Sequence, residues 1–98
     1  MQHNAVRLQA RIVSREALRY TPAGIAVLNF AVEHQSVQIE AGQTRDVALM
    51  LDCVAVGDDA KSLNETSDGA TLELGGFLGN RSNKSRWVVF HVTKFELK

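Results

Sequence analysis

Ile25-Ala26-Val27-Leu28-Asn29-Phe30-Ala31-Val32-Glu33-His34-Gln35-Ser36-Val37-Gln38-Ile39-Glu40 is the stretch on which the architecture turns. Ala26, Leu28, Phe30 and Val32 recur with period two, and Val27, Asn29, Ala31, Glu33 and Gln35 take the alternate positions. Only a β-strand sends every second side chain to the same face. The pattern runs on through Val37 and Ile39 to Glu40, up to 16 residues. Ordinary strands have about five or six residues, so this one is expected to bend or to carry a bulge.

Strands are also read on both sides of it. Upstream, Val6, Leu8, Ala10 and Ile12 alternate with Arg7, Gln9 and Arg11, giving one apolar and one polar face. Tyr20-Thr21-Pro22-Ala23-Gly24 joins this strand to the second: Pro22 suits the second position of a turn, and Gly24 a left-handed closing position. Downstream, Glu40-Ala41-Gly42-Gln43-Thr44 is a short hairpin loop, and Arg45 to Val56 is a third strand, apolar from Val47 onward except at Asp52. Gly57 ends it. Asp58 to Asn64 has room for one or two helical turns, with Asp58 as cap and Leu63 as apolar anchor. A turn at Ser67-Asp68-Gly69 leads to a fourth strand, Thr71 to Leu78, broken by a bend or bulge at Gly75-Gly76. A polar, basic loop from Gly79 to Arg86 precedes the fifth strand, Trp87 to Leu97.

Five long strands with glycine bends are able to coil and close, which removes exposed edges. The expected fold is therefore all-β, a five-stranded OB-fold barrel with little or no helix, in a single domain over residues 1–98. SH3-like barrels and small sandwiches compete, but they use shorter strands and tighter turns. Length and composition agree with one core: 98 residues, 45% hydrophobic and 22% charged, should bury roughly two thirds of the unfolded surface. Cys53 is the only cysteine, which excludes an internal disulfide and multi-cysteine zinc sites and favours an intracellular home. The longest apolar run, Val47 to Leu51, is too short to span a membrane, and the first seven residues lack a signal-peptide pattern.

The net charge is zero, but its distribution is uneven. Residues 1–30 carry Arg7, Arg11, Arg15 and Arg19 against Glu16; residues 31–76 carry nine acids against Arg45 and Lys61; residues 77–98 carry Arg81, Lys84, Arg86, Lys94 and Lys98 against Glu96. Two basic ends flank an acidic middle, so a fold that brings the ends together acquires a cationic face. No catalytic constellation accompanies it. His3, His34 and His91 are scattered, Cys53 lies in the most apolar strand, and there is no phosphate loop. The expectation is a non-enzyme without metal or cofactor, with His34 either structural or a ligand contact.

Binding of unpaired nucleic acid uses the remaining features. It requires cations along a groove and flat rings for bases. An OB-fold forms such a groove from the second and third strands and from the loops joining strands one–two and four–five. Arg15, Arg19 and Tyr20 lead into the first loop; Arg81, Lys84 and Arg86 line the second, followed by Trp87. Trp87 is open to two readings, a stacking surface or a cap on the core. Phe30, Phe77, Phe90 and Phe95 are read as core. Six aromatic residues, none between Ala31 and Gly76, imply modest affinity led by electrostatics and steeply dependent on salt.

The run Gly24-Ile25 … Phe30 … Glu33-His34-Gln35-Ser36-Val37 … Glu40-Ala41-Gly42 … Arg45, with Gly76-Phe77 and His91 … Glu96-Leu97, resembles the primosomal replication protein N (PriB) family, relatives of bacterial single-stranded DNA-binding protein. The resemblance covers nearly the whole chain. It implies an OB-fold homodimer of the bacterial cytoplasm that binds single-stranded DNA in replication restart, stabilises the restart helicase PriA on DNA and helps to recruit the next, helicase-loading primosome protein. By that resemblance Arg19, Arg45, Arg81, Lys84 and Arg86 face DNA. Gln35 stands where the family can carry a basic residue and Ala48 where it can carry an aromatic one, which shifts the balance toward protein partners. The alternatives are a general single-strand protector, a class with an acidic tail where this chain has Lys94-Phe95-Glu96-Leu97-Lys98, and a protein–protein adaptor with little DNA contact.

Overall fold

The computed structural model describes all 98 residues, Met1 to Lys98. The elements are β1 (Val6–Arg15), β2 (Arg19–Tyr20), β3 (Ala26–Glu40), β4 (Gln43–Val56), α1 (Asp58–Asn64), β5 (Thr71–Asn80) and β6 (Val88–Leu97). One sheet runs in the order β1-β5-β6-β4-β3-β2, and a second pairing of β1 with β3 closes it on itself. The result is the expected five-stranded OB-fold barrel with one short helix. The two-residue β2 is an addition to the expected set; it extends β3 through Arg19↔Val27 and Tyr20↔Ala26.

Closure depends on β1 serving two partners. Its first half pairs with β5 from Val6↔Gly76 to Arg11↔Thr71, and its second half pairs with β3 from Arg11↔Glu33 to Arg15↔Phe30. The change of partner requires a bend, supplied by a register shift between Ile12 and Ser14. Val13 is the extra residue, and it is turned outward. The bulge expected in the long second strand is therefore in the first. The β3–β4 ladder itself is unbroken from Val27↔Val56 to Glu40↔Gln43. Burial decays along it: Ala26, Leu28, Phe30 and Val32 are core, whereas Val37 to Glu40 are exposed. The distal half of the hairpin is thus an arm standing off the barrel, and the molecule measures 50 × 32 × 23 Å.

The core combines Leu28, Phe30 and Val32 of β3, Cys53 and Ala55 of β4, Leu72 and Leu74 of β5, and Phe90 and Val92 of β6. The α1 segment belongs to it through two residues rather than one, Ala60 and Leu63, both fully buried. Its N-cap is Gly57, not Asp58; Gly57 takes φ 79°, which glycine enters at little steric expense, and no side chain caps the helix. Cys53 is sealed beneath the sheet, where burial, reinforced by the charge of Asp52, pushes its thiol up to about 12. A thiol held that high is protonated at neutral pH and is an inert packing group.

Arg15 holds the far end of α1. By sequence it belongs with the cations of the first loop, and it lines a cleft together with Arg19; in the fold its guanidinium is engaged by the helix C-terminus. Nη1 donates to the carbonyl oxygens of Leu63 (3.0 Å) and Asn64 (3.1 Å), and Nη2 to Asp68 Oδ1 (2.8 Å). The last carbonyls of a helix lack intrahelical partners and carry partial negative charge, so a cation there satisfies both needs. The side chain is only 17% exposed.

The glycine pair expected to bend the fourth strand has a sharper purpose. Opposite it, β6 carries one extra residue, because Gly75 faces Lys94 and Gly76 faces Val92. A Cβ at Gly76 would lie 1.8 Å from the backbone oxygen of His91. No side-chain rotation relieves such a clash with backbone, so Gly76→Ala is expected to lower stability by about 3 kcal/mol or more. Arg15→Ala is expected to lower it by about 1.5–3 kcal/mol, the range for hydrogen bonds to a charged group. Urea unfolding of both variants checks these values; a variant with an unchanged midpoint refutes the role assigned to its residue.

Candidate nucleic-acid interface

The bend in β1 delivers its C-terminal end, and the loop after it, to the outer face of β3 and β4. The loop between β5 and β6 rises on the opposite side. Between them lies a cleft of about 530 Å³. Its floor is the outward face of the sheet: Asn29 and Ala31 from β3, Asp52 and Val54 from β4, His91 from β6. Its walls are Arg15, Glu16 and Arg19 on one side and Asn80 and Arg81 on the other. Arg19 and Arg81, far apart in sequence, thus border one concavity.

The walls are not uniformly cationic. Arg81 Nη2 donates to Asp52 Oδ2 at 2.5 Å, with both side chains more than half exposed. Such a pair contributes little stability in water; it holds Arg81 over the floor of the cleft. Arg19 has no carboxylate partner, and neither have Lys84 and Arg86 at the tip of the loop that Arg81 begins. The base of that loop is tied by the Arg81 N–H to the Trp87 carbonyl, 2.9 Å, and by the Trp87 N–H to Ser85 Oγ, 3.0 Å. Trp87 is 74% exposed. Of its two readings, a cap on the core is therefore ruled out.

Gln35 and Arg45 lie elsewhere. Gln35 shares the outward face of β3 with Ala31 and Glu33 but sits out on the arm, opposite Ala48. Arg45 is seven residues before Asp52, about 24 Å along β4 at the usual strand rise, and odd-numbered β4 positions share the face of the buried Cys53 and Ala55. It is thus on the other face of the arm from Gln35, where it pairs with Glu40. The fold brings Arg15, Arg19 and Arg81 to one cleft, carries Lys84, Arg86 and Trp87 in the loop that Arg81 begins, and leaves Gln35 and Arg45 on the arm.

His34 is fully engaged in the structure. Nδ1 lies 2.6 Å from the Gln9 carbonyl oxygen and Nε2 2.8 Å from Ser36 Oγ, so the ring ties the root of the arm to β1. Of its two readings, the geometry carries the structural one. No group of three or more His, Cys, Asp or Glu side chains is placed to hold a metal ion.

Two rings absent from the expected site stand beside it. Phe77 on β5 faces His91 on β6 across the ladder, with ring centroids 4.7 Å apart and planes within 6° of parallel. Phe77 is 42% exposed and is not core. The signal is present in the alternation: with Leu72 and Leu74 buried, an odd position on the same strand points outward. Likewise Phe90 and Val92 are buried, which sends His91 out.

Comparison with known proteins agrees with this geometry. A family model described as "another single-strand binding protein family" matches residues 4–94. Replication restart protein PriB of Bordetella pertussis is 37% identical over 89 residues, 91% of this chain and 83% of its own. The PriB of Nitrosomonas europaea is 29% identical over 92 residues, 94% of this chain and 85% of its own. The solved structure of PriB from Ralstonia solanacearum superposes with a TM-score of 0.88 at 31% identity, covering 99% of this chain and 100% of that one. The single-stranded DNA binding protein of Thermus aquaticus shares the fold at a TM-score of 0.75 and 22% identity, with this chain spanning 50% of its length. With a barrel that superposes end to end on a solved PriB and a sequence match over nine tenths of its length, the chain belongs to the PriB replication restart family of single-strand binding proteins.

Proposed function

We propose that this protein binds single-stranded DNA as an accessory factor of bacterial replication restart. The observation that carries the reading is the meeting of Arg19 with the Arg81–Trp87 loop across one cleft. A flexible anionic strand laid there would find the unpaired Arg19 on one wall and Arg81, shared with Asp52, on the other, with the unpaired Lys84 and Arg86 and the exposed indole of Trp87 following in the same loop. Cations and flat rings are the two ingredients of sequence-independent single-strand binding. Arg19, Arg81, Lys84, Arg86 and Trp87 form the contact surface. Gln35 and Arg45 meet only a strand that continues onto the arm, and Arg15, which lines the cleft, contributes least because its guanidinium is already held by α1 and Asp68. Such a factor works in the cytoplasm with the restart helicase PriA, which it would steady on DNA, and with the helicase-loading protein that follows. It needs no chemistry of its own.

The adaptor reading has one observation in its favour. Val37, Ile39 and Met50 on the outward face of the arm are 63%, 75% and 64% exposed, an apolar strip that suits protein better than phosphate. Self-association has a different surface. From Val6 to Ala10, β1 is paired with β5 on one side only, and an open antiparallel edge is a template for its own symmetry mate.

Anisotropy titrations of labelled oligothymidylate over a series of salt concentrations test the main reading. Micromolar or tighter binding is expected, weakening steeply with salt. Replacing Arg81, Lys84 and Arg86 by alanine should weaken binding and flatten the logarithmic salt dependence by about 0.7 for each phosphate no longer neutralised. Absence of measurable binding overturns the DNA reading in favour of the adaptor, and binding indifferent to these replacements removes the loop from the contact surface. For the dimer, light scattering should return twice the chain mass; a mass of one chain refutes it.

A further inference from the structure

The stacked Phe77–His91 pair lies between two concavities. On one side is the Arg19–Arg81 cleft, which His91 helps to line. On the other is a second hollow of about 540 Å³, bordered by Phe77, Arg7, Thr93 and Lys94. Lys94 has no carboxylate partner, whereas Arg7 is held by Glu73. Along the outer face the order is therefore cations, imidazole, phenyl ring, cation. Resting on the single-strand reading above, we propose that Phe77, backed by His91, is a base-stacking platform that carries the strand out of the cleft toward Lys94.

Three features support a platform over a mere cross-strand pair. Phe77 leaves two fifths of its surface open on a face where the sheet has no covering layer. The parallel geometry keeps the rings as successive steps of one stack, the arrangement that a third flat ring extends. The sheet beside them is also bare: a Cβ at Gly79 would come within 3.0 Å of His91 Nε2, so glycine there leaves the imidazole its seat. Neighbouring bases in a single strand are joined by phosphates, and a base on Phe77 brings the next phosphate toward the free ammonium of Lys94. The arrangement also lengthens a stacking inventory that otherwise has only Trp87 and Tyr20 exposed.

The test uses the full chain and oligothymidylate of about 16 nucleotides, the upper site size for one OB-fold. Phe77→Ala should weaken binding roughly 5- to 100-fold, the range for loss of one stacked base. Phe77→Trp should restore it and Phe77→Leu should not, because leucine is apolar but not flat. A purely structural pair would lower the melting temperature of Phe77→Ala and leave affinity unchanged, which overturns the proposal. Should the alanine variant fail to fold, photocrosslinking of the unaltered protein to iodouracil-substituted DNA decides: adducts on Phe77 or His91 support the platform, and adducts confined to Trp87 and Tyr20 refute it. Absence of any DNA binding by the unaltered protein sinks the single-strand reading and the platform together. Salt-dependent binding that responds to the loop replacements but not to Phe77 removes the platform alone.

Discussion

The divided allegiance of β1 is the constraint on which the rest depends. A strand hydrogen-bonded to β5 over its first half and to β3 over its second closes the sheet into a barrel, and it does so only by bending at Val13. Closure leaves few unpaired backbone groups in the body of the sheet. It also fixes where the chain emerges after Arg15, beside the outer face of β3 and β4 and across from the β5–β6 loop. On the remaining side the barrel is joined by only two parallel residue pairs, Cys53↔Phe90 and Val54↔His91. The floor of the cleft lies at this narrow seam, so the same closure that seals Cys53 and Phe90 inside sets Val54 and His91 outside.

Charge shows why pairing matters more than sums. Of eleven cations, six are held by carboxylates: Arg7 and Lys98 by Glu73, Arg11 by Glu33, Arg15 by Asp68, Arg45 by Glu40 and Arg81 by Asp52. The hydrogen bond from Arg7, aided by Lys98, holds the Glu73 carboxyl below the usual range. The five cations left over are Arg19, Lys61, Lys84, Arg86 and Lys94. Three of them border the cleft or tip its loop, and Lys94 lies beyond Phe77. A neutral protein thus leaves most of its uncompensated positive charge at the cleft and in its loop, while the acids of the middle segment are paired with cations, carried on α1 and its flanks or, as Asp46, left on the arm. Paired surface cations are still able to meet phosphate, but they must exchange one anion for another, and the gain is smaller.

Much is legible in the chain because period two is a local property. Alternation in 26–32 marks β3, the glycines at 24, 42 and 75–76 mark turns and the bulge, and the basic run 81–86 marks a loop too polar to pack. The family likeness rests on the same local stretches, Glu33 to Val37 and Glu40 to Gly42. Phe77 and His91 escape a reading that weighs hydrophobic character above phase, although their strand parity gives them away. Ala60 escapes as an anchor of α1 because a single methyl group carries no visible pattern until a core surrounds it.

Strand content, the OB-fold class and the candidate loops were determined by the order of residues alone, since each follows from contacts between near neighbours or from the side-chain alternation of an extended chain. Which cations remain free was decided only by the fold. Arg15 and Arg19 are close in sequence and chemically alike, and both border the cleft, yet one is locked to the carbonyls of a helix 48 residues downstream and the other has no carboxylate partner. Long-range hydrogen bonding and Coulomb attraction depend on distance in space, and no distance in sequence encodes it.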